Sequence, residues 1–106
     1  MKIFVSQPMS GLSENEIMET RKRVVDLLKK KFPGRNIDVI DQYHQDIPKD
    51  AHPLKYLGSD IAMMADADII VFAEGYIKSR GCYIERQVAN TYGLDCLFES
   101  ELKSRK

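Results

Sequence analysis

A serine followed six residues later by a glutamate, with a glycine between them and a basic residue on each side of the serine, is the part of this chain best suited to chemistry. The segment reads Lys78-Ser79-Arg80-Gly81-Cys82-Tyr83-Ile84-Glu85. It follows the apolar run Ile69-Ile70-Val71-Phe72, which has the continuous hydrophobicity of a central strand, so it falls at the carboxyl end of a sheet, where open α/β folds bind ligands. Ser79, Gly81 and the free amides of a helix start can cradle an anion, and Lys78 and Arg80 add positive charge. Glu85, one turn further on, projects onto the apolar side of that helix with Cys82, Ala89 and Tyr92. The helix dipole favours its ionised form there by roughly 0.3–1 kcal/mol. An oriented, partly desolvated carboxylate is what covalent catalysis at an anomeric carbon requires. The same position equally suits a glutamate that complements the dipole or pairs with Arg80 or Arg86.

A second acid, Asp60, lies at the margin of the apolar stripe of the preceding helix, between Leu57 and Ile61, and can point toward the same sheet end. Asp66 and Asp68 flank the start of the strand at the opposite end and read as turn or cap residues. His44, His52, Cys82 and Cys96 show no metal-ligand spacing, and no cofactor is expected.

These side chains must be positioned by elements that the pattern outlines. Residues 2–6 form a first strand, and Gln7-Pro8-Met9-Ser10-Gly11-Leu12 a turn. Ser13-Glu14-Asn15-Glu16 matches a capping box and starts a helix with apolar positions Ile17, Val24, Val25, Leu28 and Phe32, stopped by Pro33-Gly34. A second strand is predicted over 36–41, then a long polar loop over 42–52. A second helix begins at Pro53 with the stripe Leu54, Leu57, Ile61 and Met64. A third strand covers 68–73, a third helix roughly 81–92 ending at Gly93, and a last strand 94–98. The alternation predicts a flavodoxin-like, Rossmann-like α/β domain in three layers, with three main helices and a four-stranded parallel sheet of order 2-1-3-4. That order places the turns after strands 1 and 3 across a binding crevice from each other. The charged tail, 99–106, is expected to be frayed or to reach a neighbouring subunit.

Size and charge bound the rest. A chain of 106 residues supports one domain, and sixteen basic residues cancel sixteen acidic ones without long blocks of either sign. That balance argues against polymeric nucleic acid as a partner and favours a small molecule. Apolar runs are too short for a membrane span, no secretory leader is legible and the cysteines suit a reducing compartment, so a cytoplasmic location is expected.

At Gln7-Pro8-Met9-Ser10-Gly11 and Ser79-Arg80-Gly81-Cys82-Tyr83-Ile84-Glu85 the sequence resembles the nucleoside 2-deoxyribosyltransferase superfamily, including the 2'-deoxynucleoside 5'-monophosphate N-glycosidases, over residues 2 to about 98. The resemblance implies that Glu85 is the catalytic glutamate and that Asp60 contacts sugar or base. It implies that Ser79 contacts a 5'-phosphate, with Lys78, Arg80, Gly81, Gln7, Pro8, Met9 and Gly11 around the substrate. It further implies a homo-oligomer acting on a nucleotide or nucleoside, by hydrolysis or by transfer to a second base. The alternative reading is a module that binds or senses a nucleotide without turnover. The sequence departs from the family pattern at Phe4, where such enzymes place a tyrosine that orients the glutamate, and at Gln7-Pro8, which replaces Gly-Ser. Tyr43, Tyr76 and Tyr83 are the hydroxyls available to stand in for the tyrosine.

Overall fold

The computed structural model describes residues 1–42 and 46–103. Strand β1 (Lys2–Ser6) sits second in an all-parallel sheet of order β2-β1-β3-β4, beside β2 (Asp38–Val39) and β3 (Ile69–Phe72), with β4 (Cys96–Phe98) outermost on the other side. Four helices surround it: α1 (Glu14–Lys31), α2 (Pro53–Met64), α3 (Arg80–Thr91) and the short α4 (Glu99–Lys103). The predicted sheet order is therefore present.

The alternation of β1 decides which side chain meets which layer. Successive strand residues point to opposite faces. Ile3 and Val5 join Val24, Leu28, Val71, Ala73 and Leu102 in one buried cluster, under α1 and α4. Phe4 joins Met64, Ile70, Phe72 and Ala89 in the other, under α2 and α3. Each large apolar side chain so buried contributes about 1.5–3 kcal/mol. The parity continues past the core: Ser6 falls on the α3 side and Gln7 on the α1 side.

The capping box predicted at Ser13 is complete. Ser13 Oγ accepts from the Glu16 amide at 3.1 Å, and Glu16 Oε1 accepts from the Ser13 amide at 3.1 Å. Pro53 occupies the first turn of α2 as expected, with His52 as its cap: Nδ1 accepts from the Leu54 amide at 3.1 Å. Asp68 behaves as a structural residue, its carboxylate accepting from the Lys2 amide at 2.7 Å.

Four expectations need correction. The second strand is two residues rather than six, because β2 is an edge whose paired register with β1 covers only Asp38 and Val39. Leu54, placed on the buried stripe of α2, is 63% exposed in the first turn of that helix, whose buried residue is Met64 at the other end. Tyr92, grouped with the buried row of α3, is exposed because the helix has already ended at Thr91. The segment after β4 is not a frayed tail through Lys103: α4 packs against α1, with Leu102 and Glu99 buried. Residues 104–106 lie outside the described residues.

No helix among the described residues is long and apolar enough to cross a membrane.

Candidate functional site

The candidate site lies at the carboxyl ends of β1 and β3. The Ala73 amide donates to the Ser6 carbonyl at 2.9 Å, closing the ladder between the two strands. The turn after β3 uses Gly75 at φ 87°, a left-handed conformation that glycine adopts without penalty. A methyl placed on Gly75 would lie 3.6 Å from Pro8 Cγ, so the two predicted turns do meet. A single 3-10 turn, Tyr76–Lys78, then carries the chain to Ser79.

Ser79 caps α3, its hydroxyl oxygen accepting from the Cys82 amide at 3.4 Å. Lys78 and Arg80 on either side are exposed, whereas Gly81 is half-buried. A methyl at Gly81 would make only ordinary contact with Leu57 Cδ1, at 4.0 Å. Packing alone does not demand glycine there.

Glu85 lies one turn inside α3 and is only 4% exposed. Its Oε1 accepts a hydrogen bond from Ser6 Oγ at 2.6 Å. Burial pushes the Glu85 carboxyl up from the usual carboxylate range to about 7. The Ser6 bond opposes that shift, while the charge of Asp60 and a hydrogen bond between the two carboxyl groups reinforce it. Glu85 and Asp60 are thus a coupled carboxyl pair, which takes up and releases protons jointly. The expectation that the helix dipole keeps Glu85 ionised is corrected: desolvation and a neighbouring acid outweigh a contribution of roughly 0.3–1 kcal/mol. Neither Arg80 nor Arg86 pairs with it. Arg86 instead lies over the rings of Phe98, at 5.1 Å, and Phe72, at 5.9 Å.

Cys82 completes the cluster. Its buried thiol is pushed up chiefly by desolvation, and hydrogen bonds with Ser6 and Ser79 partly offset this. Ser6 therefore touches both Glu85 and Cys82, and through Cys82 the glutamate is linked to the cap of α3.

Sequence reasoning named Glu85, Asp60 and Ser79 as candidates, and the structure adds Ser6 beside Glu85. The available signal was parity: Phe4 faces α2 and α3, so Ser6, two residues on, must as well. Among the tyrosines considered, Tyr76 packs with Phe72 and Phe98 at centroid distances of 5.3 and 5.5 Å, and Tyr83 is exposed on α3. Tyr43 lies outside the described residues. Among the described residues, Ser6 is the hydroxyl bonded to the glutamate.

Other predicted residues are not gathered there. Gln7 points to the opposite face, where its Nε2 donates to the Ile17 carbonyl at 2.9 Å. Met9 and Gly11 shape the turn after β1, with the Leu12 amide donating to the Met9 carbonyl at 3.1 Å and Gly11 at φ 77°. A separate surface hollow of about 360 Å³ lies beside β4, lined by Phe72, Glu74, Tyr76, Lys78 and Phe98 among others, and includes neither Glu85 nor Asp60. The hollow is walled mainly by apolar surface and lies apart from the carboxyl pair.

No curated protein matches the chain. A family match does cover residues 1–98, which include both turns, Ser6, Asp60, Ser79 and Glu85. The chain belongs to the family described as the domain of unknown function DUF4406.

Proposed function

We propose that this protein cleaves or transfers the N-glycosidic bond of a 2'-deoxynucleoside 5'-monophosphate, with Glu85 as the nucleophile. The observation that carries the reading is the buried Glu85 carboxyl, held by Ser6 at 2.6 Å and coupled to Asp60 at the carboxyl end of the sheet. The sequence resemblance to deoxyribosyltransferases and N-glycosidases supplies the substrate class.

Near neutral pH the Glu85 carboxyl, its pKa raised to about 7, is divided between its protonated and ionised forms, which suits a site that needs both proton transfer and a nucleophile. A nitrogen of the leaving base takes up a proton, assisted by Asp60 or supplied by solvent, as the C1'–N bond breaks, and the bonding electrons depart with the base. A Glu85 oxygen bonds to C1' through an oxocarbenium-like transition state. Water, or a second base, then attacks C1', the ester electrons return to Glu85, and the attacking group's proton returns to the pair. Two displacements retain the anomeric configuration. Ser6 keeps the reacting oxygen aimed, and the amides at the start of α3, with Lys78 and Arg80, receive the 5'-phosphate. Assembly of several copies of the chain belongs to the same reading and is measured by sedimentation.

The test is base release from each 2'-deoxynucleoside and its 5'-monophosphate, with and without an acceptor base, followed by chromatography. Release lost in Glu85→Ala supports the reading, and dependence on acceptor separates transfer from hydrolysis. Inverted product overturns Glu85 as nucleophile. A second reading, nucleotide binding without turnover, is favoured by one observation: a carboxyl 4% exposed and protonated up to about pH 7 is a weak nucleophile until a ligand displaces its proton. Saturable nucleotide binding that survives in Glu85→Ala, with no base released by either protein, establishes that alternative.

A further inference from the structure

On the other face of the sheet from Glu85, at the carboxyl ends of β1 and β2, a guanidinium is held, among the described residues, by neutral partners. Arg21 donates from Nε to Gln7 Oε1 at 3.3 Å and from Nη2 to Gln42 Oε1 at 2.7 Å. Both glutamines are buried, 5% and 8% exposed. Gln7 is itself fixed, since its Nε2 donates to the Ile17 carbonyl, and so its amide oxygen faces the arginine.

The charge pattern of α1 isolates this arginine. Lys22, Arg23, Lys29 and Lys30 each have Glu19 or Asp26 three or four residues away, the spacing at which helix side chains meet. Arg21 has Ile17, Met18, Val24 and Val25 at those positions. Among the described residues the ion pairs of α1 involve Arg23, which takes Glu99, and none involves Arg21. A guanidinium offers five N–H donors in a planar fork. Two are used among the described residues, and the side chain is only half-buried.

Two buried amides that orient a cation without neutralising it form a prearranged receptor for a negative ligand, because the fork is positioned in advance and its full charge is retained. We infer that Arg21, positioned by Gln7 and Gln42, anchors an oxyanion-binding site for a phosphate or carboxylate group at the carboxyl ends of β1 and β2. The site is separate from the amides that start α3, and it does not rest on the glycosidic reading.

Proton–nitrogen correlation spectra that include arginine Nε–H resonances test it, with inorganic phosphate and, separately, acetate titrated at constant ionic strength. The expected result is a saturable shift of the Arg21 Nε–H and of the Gln7 and Gln42 amides. The tighter of the two anions identifies the ligand class. Gln42→Glu keeps Arg21 but gives it an internal carboxylate, and should weaken binding tenfold or more in a protein whose spectrum remains dispersed. Arg21→Gln should show the same loss, and Arg80→Ala should bind as the wild type does at this site. Equal affinity in Gln42→Glu and wild type, absence of saturation, or shifts confined to the amides of residues 79–82 would each overturn the inference. Base release is read independently, so failure of either idea leaves the other standing.

Discussion

Ser6 and Glu85, 79 residues apart in the chain, are joined by a 2.6 Å hydrogen bond inside the protein, and this contact ties the end of β1 to the first turns of α3. Both ends are rigidly placed. Ser6 continues the ladder to β3, and Glu85 lies in a capped helix packed on the same sheet face.

Removing that bond should change function more than fold. Ser6→Ala deletes one hydroxyl, and because the Ser6 bond pulls the Glu85 pKa down, its loss should raise that pKa further above about 7. A misaimed, more protonated carboxyl should lower kcat by roughly 10–100-fold while KM changes little, as expected for loss of a positioning contact. The pH dependence of kcat, shifted to higher pH in the variant, is the readout that a purely structural role would not move.

Asp60→Asn should act in the opposite direction on the same group. Burial is the largest cause of the raised Glu85 pKa and remains, but the charge of Asp60 disappears and the asparagine amide can donate to the ionised carboxylate instead. Carboxyl-carbon NMR titration should therefore find Glu85 below its wild-type value yet still above an exposed glutamate. Base release should fall as well, most for substrates whose leaving base most needs a proton. An unchanged Glu85 titration would remove Asp60 from the pair.

Glu85 should also be costly to stability. Its pKa rises from the ordinary range, about 4.3 in an unfolded chain, to about 7 in the folded protein. Between those values the folded state holds the extra proton, so stability is greatest below the lower value and declines as pH rises toward the upper one. The loss is on the order of 3 kcal/mol by pH 8. Glu85→Gln should raise the melting temperature at pH 8 and flatten its decline between pH 5 and 7. A variant less stable than wild type at pH 8 would contradict this account.

The features most legible in the sequence were the local ones. The capping box at Ser13 and the apolar run of β3 report on neighbours within a few residues, and the alternation of strands and helices then constrains the sheet order. Glu85 was legible because it interrupts an apolar helix face. Glu99 was not: it follows the last strand in a charged segment, and its partner Arg23 is 76 residues away on α1. Ser6 was missed for a related reason. Ser6 is the last residue of the predicted first strand, but the face it takes follows only when the parity of Phe4 is carried two residues further. Arg21 looked like one charge among many on α1, and only the fold brings Gln7 and Gln42 to it.

The Glu99 network gives the last prediction. Glu99 is fully buried, yet its pKa is lowered: desolvation pushes it up, but bonds from Arg23 and the Glu74 amide, with the charges of Arg23 and Lys103, outweigh that. Arg23 Nη2 donates to Glu99 Oε1 at 3.2 Å, and the Glu74 amide donates to the same oxygen at 2.9 Å. The carboxylate therefore fastens α1, α4 and the turn after β3 together. A lowered carboxylate pKa stabilises the fold above the unfolded value, about 4.3, and that contribution is lost as pH falls through the folded value. Glu99→Gln should accordingly be least harmful in acid and most harmful at neutral pH, the reverse of Glu85→Gln. Arg23→Met should destabilise by about 2–3 kcal/mol at pH 7. This is below the roughly 3–5 kcal/mol typical of breaking a fully buried pair, because the Arg23 side chain is 43% exposed. Urea unfolding of both variants at pH 3.5 and 7 checks the signs, and equal losses at the two pH values would remove Glu99 ionisation from the account.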